Sequence, residues 1–188
     1  MRSSLSRRAA LALFFAGSVS LARADDTPPP PVNGHFTLQT LDDRTVSDKD
    51  YRGKFLVVYF GYTFCPDVCP TTLTQIGAAL TELGDKAARF QPVFITLDPA
   101  RDKTPVMQAY MKSFDPRIVA LRGDPEDIEE AAKSFHAYYR PRSLGNGQYT
   151  VDHSSYIYVI DPKGKFVELL TGDLPGHPLA LDLKKLIK

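Results

Sequence analysis

The sequence predicts an α/β fold, a central sheet with helices on both faces. Three observations carry this. Two apolar runs, Phe55 to Phe60 and Pro92 to Leu97, read as buried strands. Helical apolar spacing follows the first, at Leu73, Ile76, Ala79, Leu80 and Leu83. Further strands and helices then alternate to the C-terminus.

In chain order, Phe36 to Leu41 and Arg44 to Val46 flank Asp42-Asp43 and predict a small N-terminal β-hairpin. The first central strand, Phe55 to Phe60, leads through a cysteine-bearing loop to a helix over Pro70 to Leu83. The second strand is Pro92 to Leu97. Thr104-Pro105 reads as an N-cap followed by a first-turn proline, opening a helix to about Ser113. Ile118 to Leu121 is a short strand, and Asp124-Pro125-Glu126 opens a helix to about Phe135. Tyr156 to Ile160 and Phe166 to Leu170 are joined by Asp161-Pro-Lys-Gly164, a turn sequence, and form an antiparallel hairpin. A last helix covers Leu179 to Ile187. This order, with cysteines after the first core strand, is that of thioredoxin-like folds.

The N-terminus has a different character. Arg2, Arg7 and Arg8 precede an apolar stretch from Ala9 to Leu21 and a small-x-small site, Ala22-Arg-Ala24. This is the plan of a secretory signal peptide over residues 1–24, and the stretch is short for a membrane span. Ser6-Arg7-Arg8 is a partial match to a twin-arginine signal. Left uncleaved, the same segment would be a membrane anchor. In either case the domain is expected outside the cytoplasm. Residues 25–32 form a proline-rich lead-in, and 33–188 a single domain large enough to bury a real core. Four of the 23 basic residues and none of the 22 acidic ones fall in 1–24, so the mature chain is slightly acidic. That charge excludes nucleic-acid binding and a polybasic membrane patch.

The only two cysteines, Cys65 and Cys69, stand as C-x₃-C in the strand-to-helix loop. A helix start favours thiolate and a loop leaves sulfur accessible. A purely structural disulfide is a poor reading: closing so short a loop stabilises by only about 2 kcal/mol, against about 4.7 for a hundred-residue loop. With Cys69 in the first helical turn, both sulfurs can lie on one side. The pair can then oxidise reversibly or clasp a soft ion such as Cu(I) or zinc. Two ligands leave the coordination open, and the available third ligands are His35, His136, His153 and His177. His153 is the strongest, because it directly precedes the strand Tyr156 to Ile160, in a loop that faces the cysteines in a thioredoxin-like fold. His136 closes a helix, where a C-terminal dipole favours it, and His177 sits in a Pro-Gly-His-Pro turn. Asp67 reads as an N-cap and Asp98 as a turn residue, each with the alternative of bonding to a ligand. Arg101 and Asp102 are expected to pair. Tyr62 and Phe64 are expected as partner contacts next to the metal, with core packing an equal explanation for Phe64.

Several motifs in order resemble the Sco/SenC family of copper-binding assembly proteins for cytochrome c oxidase. They are Tyr59-Phe-Gly-Tyr-Thr-Phe-Cys-Pro-Asp-Val-Cys-Pro70, Thr96-Leu-Asp-Pro-Ala-Arg-Asp-Lys-Thr-Pro105 and Val151-Asp-His-Ser154. The likeness covers about residues 33–188. It implies a thioredoxin-like fold with an N-terminal β-extension and an inserted hairpin, for which Tyr138 to Tyr149 is the candidate. It implies Cys65 and Cys69 as thiolate ligands and redox pair, and His153 as the nitrogen ligand. The implied cofactor is copper, as Cu(I) with Cu(II) tolerated. The implied task is a periplasmic metallochaperone for the binuclear copper centre of oxidase subunit II, or for another periplasmic copper protein. A thiol–disulfide reductase that keeps the target's cysteines reduced, itself served by a thiol reductant, is the alternative. A thiol peroxidase is disfavoured, because the residues three before each cysteine, Tyr62 and Pro66, are not Thr or Ser. A closed zinc site lacks a fourth ligand.

Overall fold

The computed structural model describes residues 31–172 and 179–187. The segment 1–24 expected as a signal, most of the expected lead-in and His177 lie outside the described residues. No helix among the described residues is long and apolar enough to cross a membrane.

The central sheet has seven strands: β1 (Thr37–Thr40), β2 (Thr45–Ser47), β3 (Phe55–Gly61), β4 (Phe90–Thr96), β5 (Val119–Arg122), β8 (Tyr156–Ile160) and β9 (Phe166–Thr171), in the order β2-β1-β5-β4-β3-β8-β9. A second sheet pairs β6 (Tyr139–Gly145) with β7 (Gln148–His153). Only the three middle strands run parallel; β1 lies antiparallel to β5, and β8 antiparallel to β3. The N-terminal hairpin is therefore not a detached extension. It continues the main sheet through Gln39↔Arg122 and Thr40↔Leu121.

Every residue of β3 is buried, as expected of a strand covered on both faces. Helix α1 (Val68–Leu83) buries the anticipated stripe of Leu73, Ile76, Ala79, Leu80 and Leu83. It begins two residues earlier than expected, which places Cys69 inside its first turn. Pro70 fits there because first-turn amides have no intrahelical partner. Thr104 is the first residue of α2 (Thr104–Met111) rather than its cap, a position taken by Lys103. Asp124 takes the N-cap position of α3 (Pro125–Phe135), without a side-chain capping bond, with Pro125 next as expected, and His136 ends the helix in the left-handed conformation (φ 54°). Helix α4 (Leu179–Leu186) packs beside α1.

The inserted hairpin is longer than expected and reaches His153, which pairs with Tyr139. Its turn, Gly145-Asn146-Gly147, has three consecutive positive φ angles, which glycine and asparagine adopt at least cost. Gly164, at φ 92°, closes the β8–β9 turn, where Asp161 accepts from the amides of Lys163 and Lys165.

The core between β3, β8 and α3 is aromatic. Phe135 is fully buried, with ring centroids 5.3 Å from Phe60, 5.4 Å from Tyr158 and 6.5 Å from Phe36. Truncation there leaves a cavity that three rings cannot close. Phe135→Ala is expected to cost about 3–5 kcal/mol, read as a lower denaturant midpoint at unchanged slope.

Candidate metal centre

The cysteine loop is fastened at both ends. At the strand end, a Cβ on Gly61 would lie 2.8 Å from the Cys69 sulfur and 3.0 Å from the Phe94 ring. A glycine there leaves room for the sulfur against the sheet. Two residues on, the Thr63 amide and hydroxyl both donate to the buried Asp102 carboxylate, at 3.0 and 2.5 Å. The Thr96 hydroxyl donates to the same group at 2.6 Å, so β4 and the cysteine loop share one anchor. Asp102 thus serves the loop and not Arg101, correcting the expected pair. Arg101 instead pairs with Asp98. Adjacent residues on a turn diverge, whereas residues three apart converge.

At the helix end, Asp67 occupies the N-cap position of α1 but makes no side-chain capping bond. The Cys69 amide donates instead to the Cys65 sulfur, at 3.4 Å. Cys65 therefore takes a hydrogen bond that a capping oxygen would ordinarily receive. The same bond favours negative charge on that sulfur.

The two thiols are unequal. Hydrogen bonding from Cys69 holds the Cys65 thiol far below its ordinary range, at about 4, although partial burial opposes this. Cys69 is pushed up, because its thiol hydrogen-bonds to Cys65, because it is buried, and because ionising it would place a second negative charge beside Cys65. The reduced pair accordingly holds one thiolate, on Cys65, and one thiol, on Cys69. Tyr59, behind Cys69, is held in its neutral phenol form by burial and by that sulfur. Both cysteines are free.

His153 completes the cluster. Its Nε2 lies 3.3 Å from the Cys69 sulfur, and its Nδ1 is 3.0 Å from the Ser154 carbonyl. A carbonyl only accepts, so Nδ1 carries the proton and Nε2 faces the sulfurs with its lone pair. The rings of Tyr62 and Tyr59 stand edge-on to the imidazole at 5.8 and 6.4 Å. Potential ligand atoms of Cys65, Cys69 and His153 all lie within 4.8 Å of one another. Donors about 2.0–2.3 Å from a shared ion need comparable proximity. Two sulfurs and one neutral ring nitrogen, with no carboxylate in the group, fit a soft ion such as Cu(I) and leave a tetrahedral zinc shell incomplete.

The other two described histidines stand apart from this group. His35 is exposed and faces Asp48 at 3.3 Å, and His136 is an exposed helix end. Asp98 is buried, bound to Arg101 and to the Tyr149 hydroxyl, which donates to it at 2.7 Å. It is more than the turn residue expected, and none of those bonds goes to a cysteine or to His153. Tyr62 is core rather than contact surface: its hydroxyl meets the Thr150 hydroxyl at 2.8 Å and accepts from the Val151 amide. Phe64 is the reverse, 55% exposed beside the cysteines. Sequence reasoning missed Tyr149 and Thr63, whose partners lie 51 and 39 residues away.

Titration of the reduced, metal-free chain is expected to show this asymmetry. Ultraviolet thiolate absorbance should lose one thiolate as the pH falls through about 4. The second should appear only at strongly alkaline pH. Two thiolates titrating together near the ordinary range would contradict the shared-charge arrangement.

The SCO1/SenC family model matches residues 24–188. Protein sco1 of Schizosaccharomyces pombe is 38% identical over 155 residues, covering 80% of this chain and 59% of that protein. The chain thus spans somewhat under two thirds of that curated relative. Among solved structures, Bradyrhizobium japonicum ScoI with copper bound is similar at TM-score 0.75 and 38% identity, covering 82% of this chain and 98% of that one. BsSco is similar at TM-score 0.65 and 25% identity, over 83% of this chain and 95% of that one. Its structure is described as showing a disulfide switch in a member of the Sco family of cytochrome c oxidase assembly proteins.

Proposed function

The chain belongs to the SCO1/SenC family, and we propose that it carries one copper ion on Cys65, Cys69 and His153 for delivery to the binuclear copper centre of cytochrome c oxidase subunit II. The observation that carries this reading is the convergence of two sulfurs and a neutral ring nitrogen within 4.8 Å. The similar ScoI structure has copper bound. The segment 1–24 would export the chain to the periplasm, or hold it at the membrane if uncleaved, with 25–32 as the spacer and 33–188 as the working domain.

Two thiolates suit Cu(I), and the imidazole makes Cu(II) acceptable. Loading displaces the Cys69 proton, since the ligand must be thiolate while Cys65 already is one. The cation then offsets the second charge that the empty site disfavours. Release to a target would follow if the target's own thiolates compete, or if a disulfide in the target takes two electrons from the pair, leaving a Cys65–Cys69 disulfide whose uncharged sulfurs are poor ligands.

A second reading is favoured by the paired free cysteines and the depressed Cys65 thiol. The same pair could pass two electrons to a disulfide in the copper-receiving protein. Cys65 and Cys69 would become a disulfide while the target regains two thiols, and a thiol reductant would restore the pair. The disulfide switch described for BsSco fits such chemistry.

Copper titration of the reduced chain separates the readings. One equivalent of Cu(I) is expected, with Cys65→Ser or Cys69→Ser losing more than the roughly 10–100-fold that loss of an outer hydrogen-bond partner costs. Reductase turnover without stoichiometric copper, surviving His153→Ala, would favour the second reading. Acid should weaken binding in a defined way. From neutral pH upward one proton leaves per ion, so affinity should rise about tenfold per pH unit until Cys69 itself ionises. Below the Cys65 value, set by its environment at about 4, a further proton competes and the slope should steepen.

A further inference from the structure

The hairpin that carries His153 is not hydrogen-bonded as a strand into the central sheet among the described residues. The cysteines stand in the loop after β3 and in the first turn of α1, so side-chain ties, beyond the chain's own path from His153 into β8, hold the imidazole to the sulfurs. Tyr62 makes one tie, through Thr150 and Val151. The other converges on Arg101, in the loop between β4 and α2.

The Arg101 guanidinium touches three segments. Its Nη1 donates to the Tyr149 carbonyl of β7 at 2.8 Å, and its charge lies over the Tyr149 ring, 3.7 Å from the centroid. Its Nε pairs with Asp98, which also accepts from the Tyr149 hydroxyl at 2.7 Å. Toward the cysteine loop it lies 4.8 Å from the Phe64 centroid and 5.7 Å from that of Tyr62. Tyr149 and His153 lie on the same strand four residues apart, hence on one face. We infer that Arg101 is a positioning residue for the third ligand. It clamps β7 against the cysteine loop and keeps the His153 ring nitrogen within reach of the sulfurs. The inference rests on the reading of His153 as a ligand.

Simple neutralisation of Asp98 does not require this arrangement. A lysine could neutralise the carboxylate, but it lacks the planar fork that bonds the carbonyl and stacks on the ring at the same time. Arg101→Lys therefore keeps the charge pair and removes the clamp.

The test uses the reduced full chain, Cu(I) and Cu(II) ions, and diethyl pyrocarbonate acylation followed at His153 by peptide mass. Arg101→Lys is expected to weaken Cu(II) binding about 10–100-fold, as loss of an outer partner does. Cu(I) binding should change less than about threefold, because two thiolates satisfy it. His153→Ala should reproduce the Cu(II) loss. In the copper-free chain, acylation of His153 should accelerate several-fold in Arg101→Lys. Should that variant fold poorly, Asp98→Asn/Arg101→Met removes both buried charges together and is read the same way. If His153→Ala loses Cu(II) while the Arg101 variant binds it as the parent does, the proposal is overturned, whatever the acylation rate. If His153→Ala leaves Cu(II) binding intact, the ligand reading fails. Acylation in the metal-free chain then decides the clamp alone, and an unchanged rate overturns it.

Discussion

Two sulfurs beside one helix start can share a single negative charge, but a second needs a cation. Unit charges about 4 Å apart repel by about 4 kcal/mol at an effective dielectric constant near 20. That is worth about three pKa units, enough to set one cysteine far from the other. Cys65 takes the charge because the Cys69 amide and thiol both point at it. Cys69 keeps its proton because it is buried against the sheet and next to that charge. The strain in such a pair can be relieved in two ways. A soft cation can bind between the sulfurs, or two electrons can leave and a disulfide can form. Metal carriage and thiol reduction are thus two outcomes of one electrostatic arrangement.

The fold divides the labour around that pair. The cysteines are fixed by the most buried elements of the domain, β3 and α1, with Gly61 cleared of any side chain and Asp102 gripping Thr63. The imidazole comes from a two-stranded arm outside the main sheet. Under the proposed copper chemistry this separation has a consequence. Two ligands move with the core and the third moves with the arm, so coordination number is tied to the contact between arm and core. Tyr62 spans that contact through Thr150, and Arg101 spans it through Tyr149.

The elements with short-range causes were legible in the sequence. The apolar runs of β3 and β4, the stripe on α1, the Asp124-Pro125 helix start and the Asp161 to Gly164 turn all stand where local pattern places them. The C-x₃-C loop and the Val151-Asp-His-Ser154 motif were legible too, and the structure brings their ligand atoms together. Long-range pairing was not. Nothing local tells β1 to lie against β5, 79 residues apart in the Asp43–Arg122 bridge that accompanies it. Nor does it tell Thr63 to bond Asp102. The Arg101–Asp102 expectation failed for a readable reason, because neighbours in sequence face apart while Asp98 and Arg101, three apart, meet across the turn.

Exposure decides where exchange begins. Cys69 is 0% exposed and Cys65 8%, while Phe64, adjacent in sequence, is 55% exposed. An incoming thiolate or metal-binding group therefore meets Cys65 first, beside an aromatic ring already in contact with Arg101. Cys65 is also the sulfur that is nucleophilic at neutral pH, so it suits attack on a disulfide, with Cys69 placed to resolve the mixed intermediate. For a metal held as proposed, release would follow the same order. A competing ligand would displace the accessible sulfur first, and the recovered Cys65 thiolate is the form its hydrogen bonds already stabilise. Copper leaving by that route would end on the buried Cys69 and His153. Their contact, at 3.3 Å, is close to the separation two ligands of one ion need, so that two-coordinate stage would require little rearrangement.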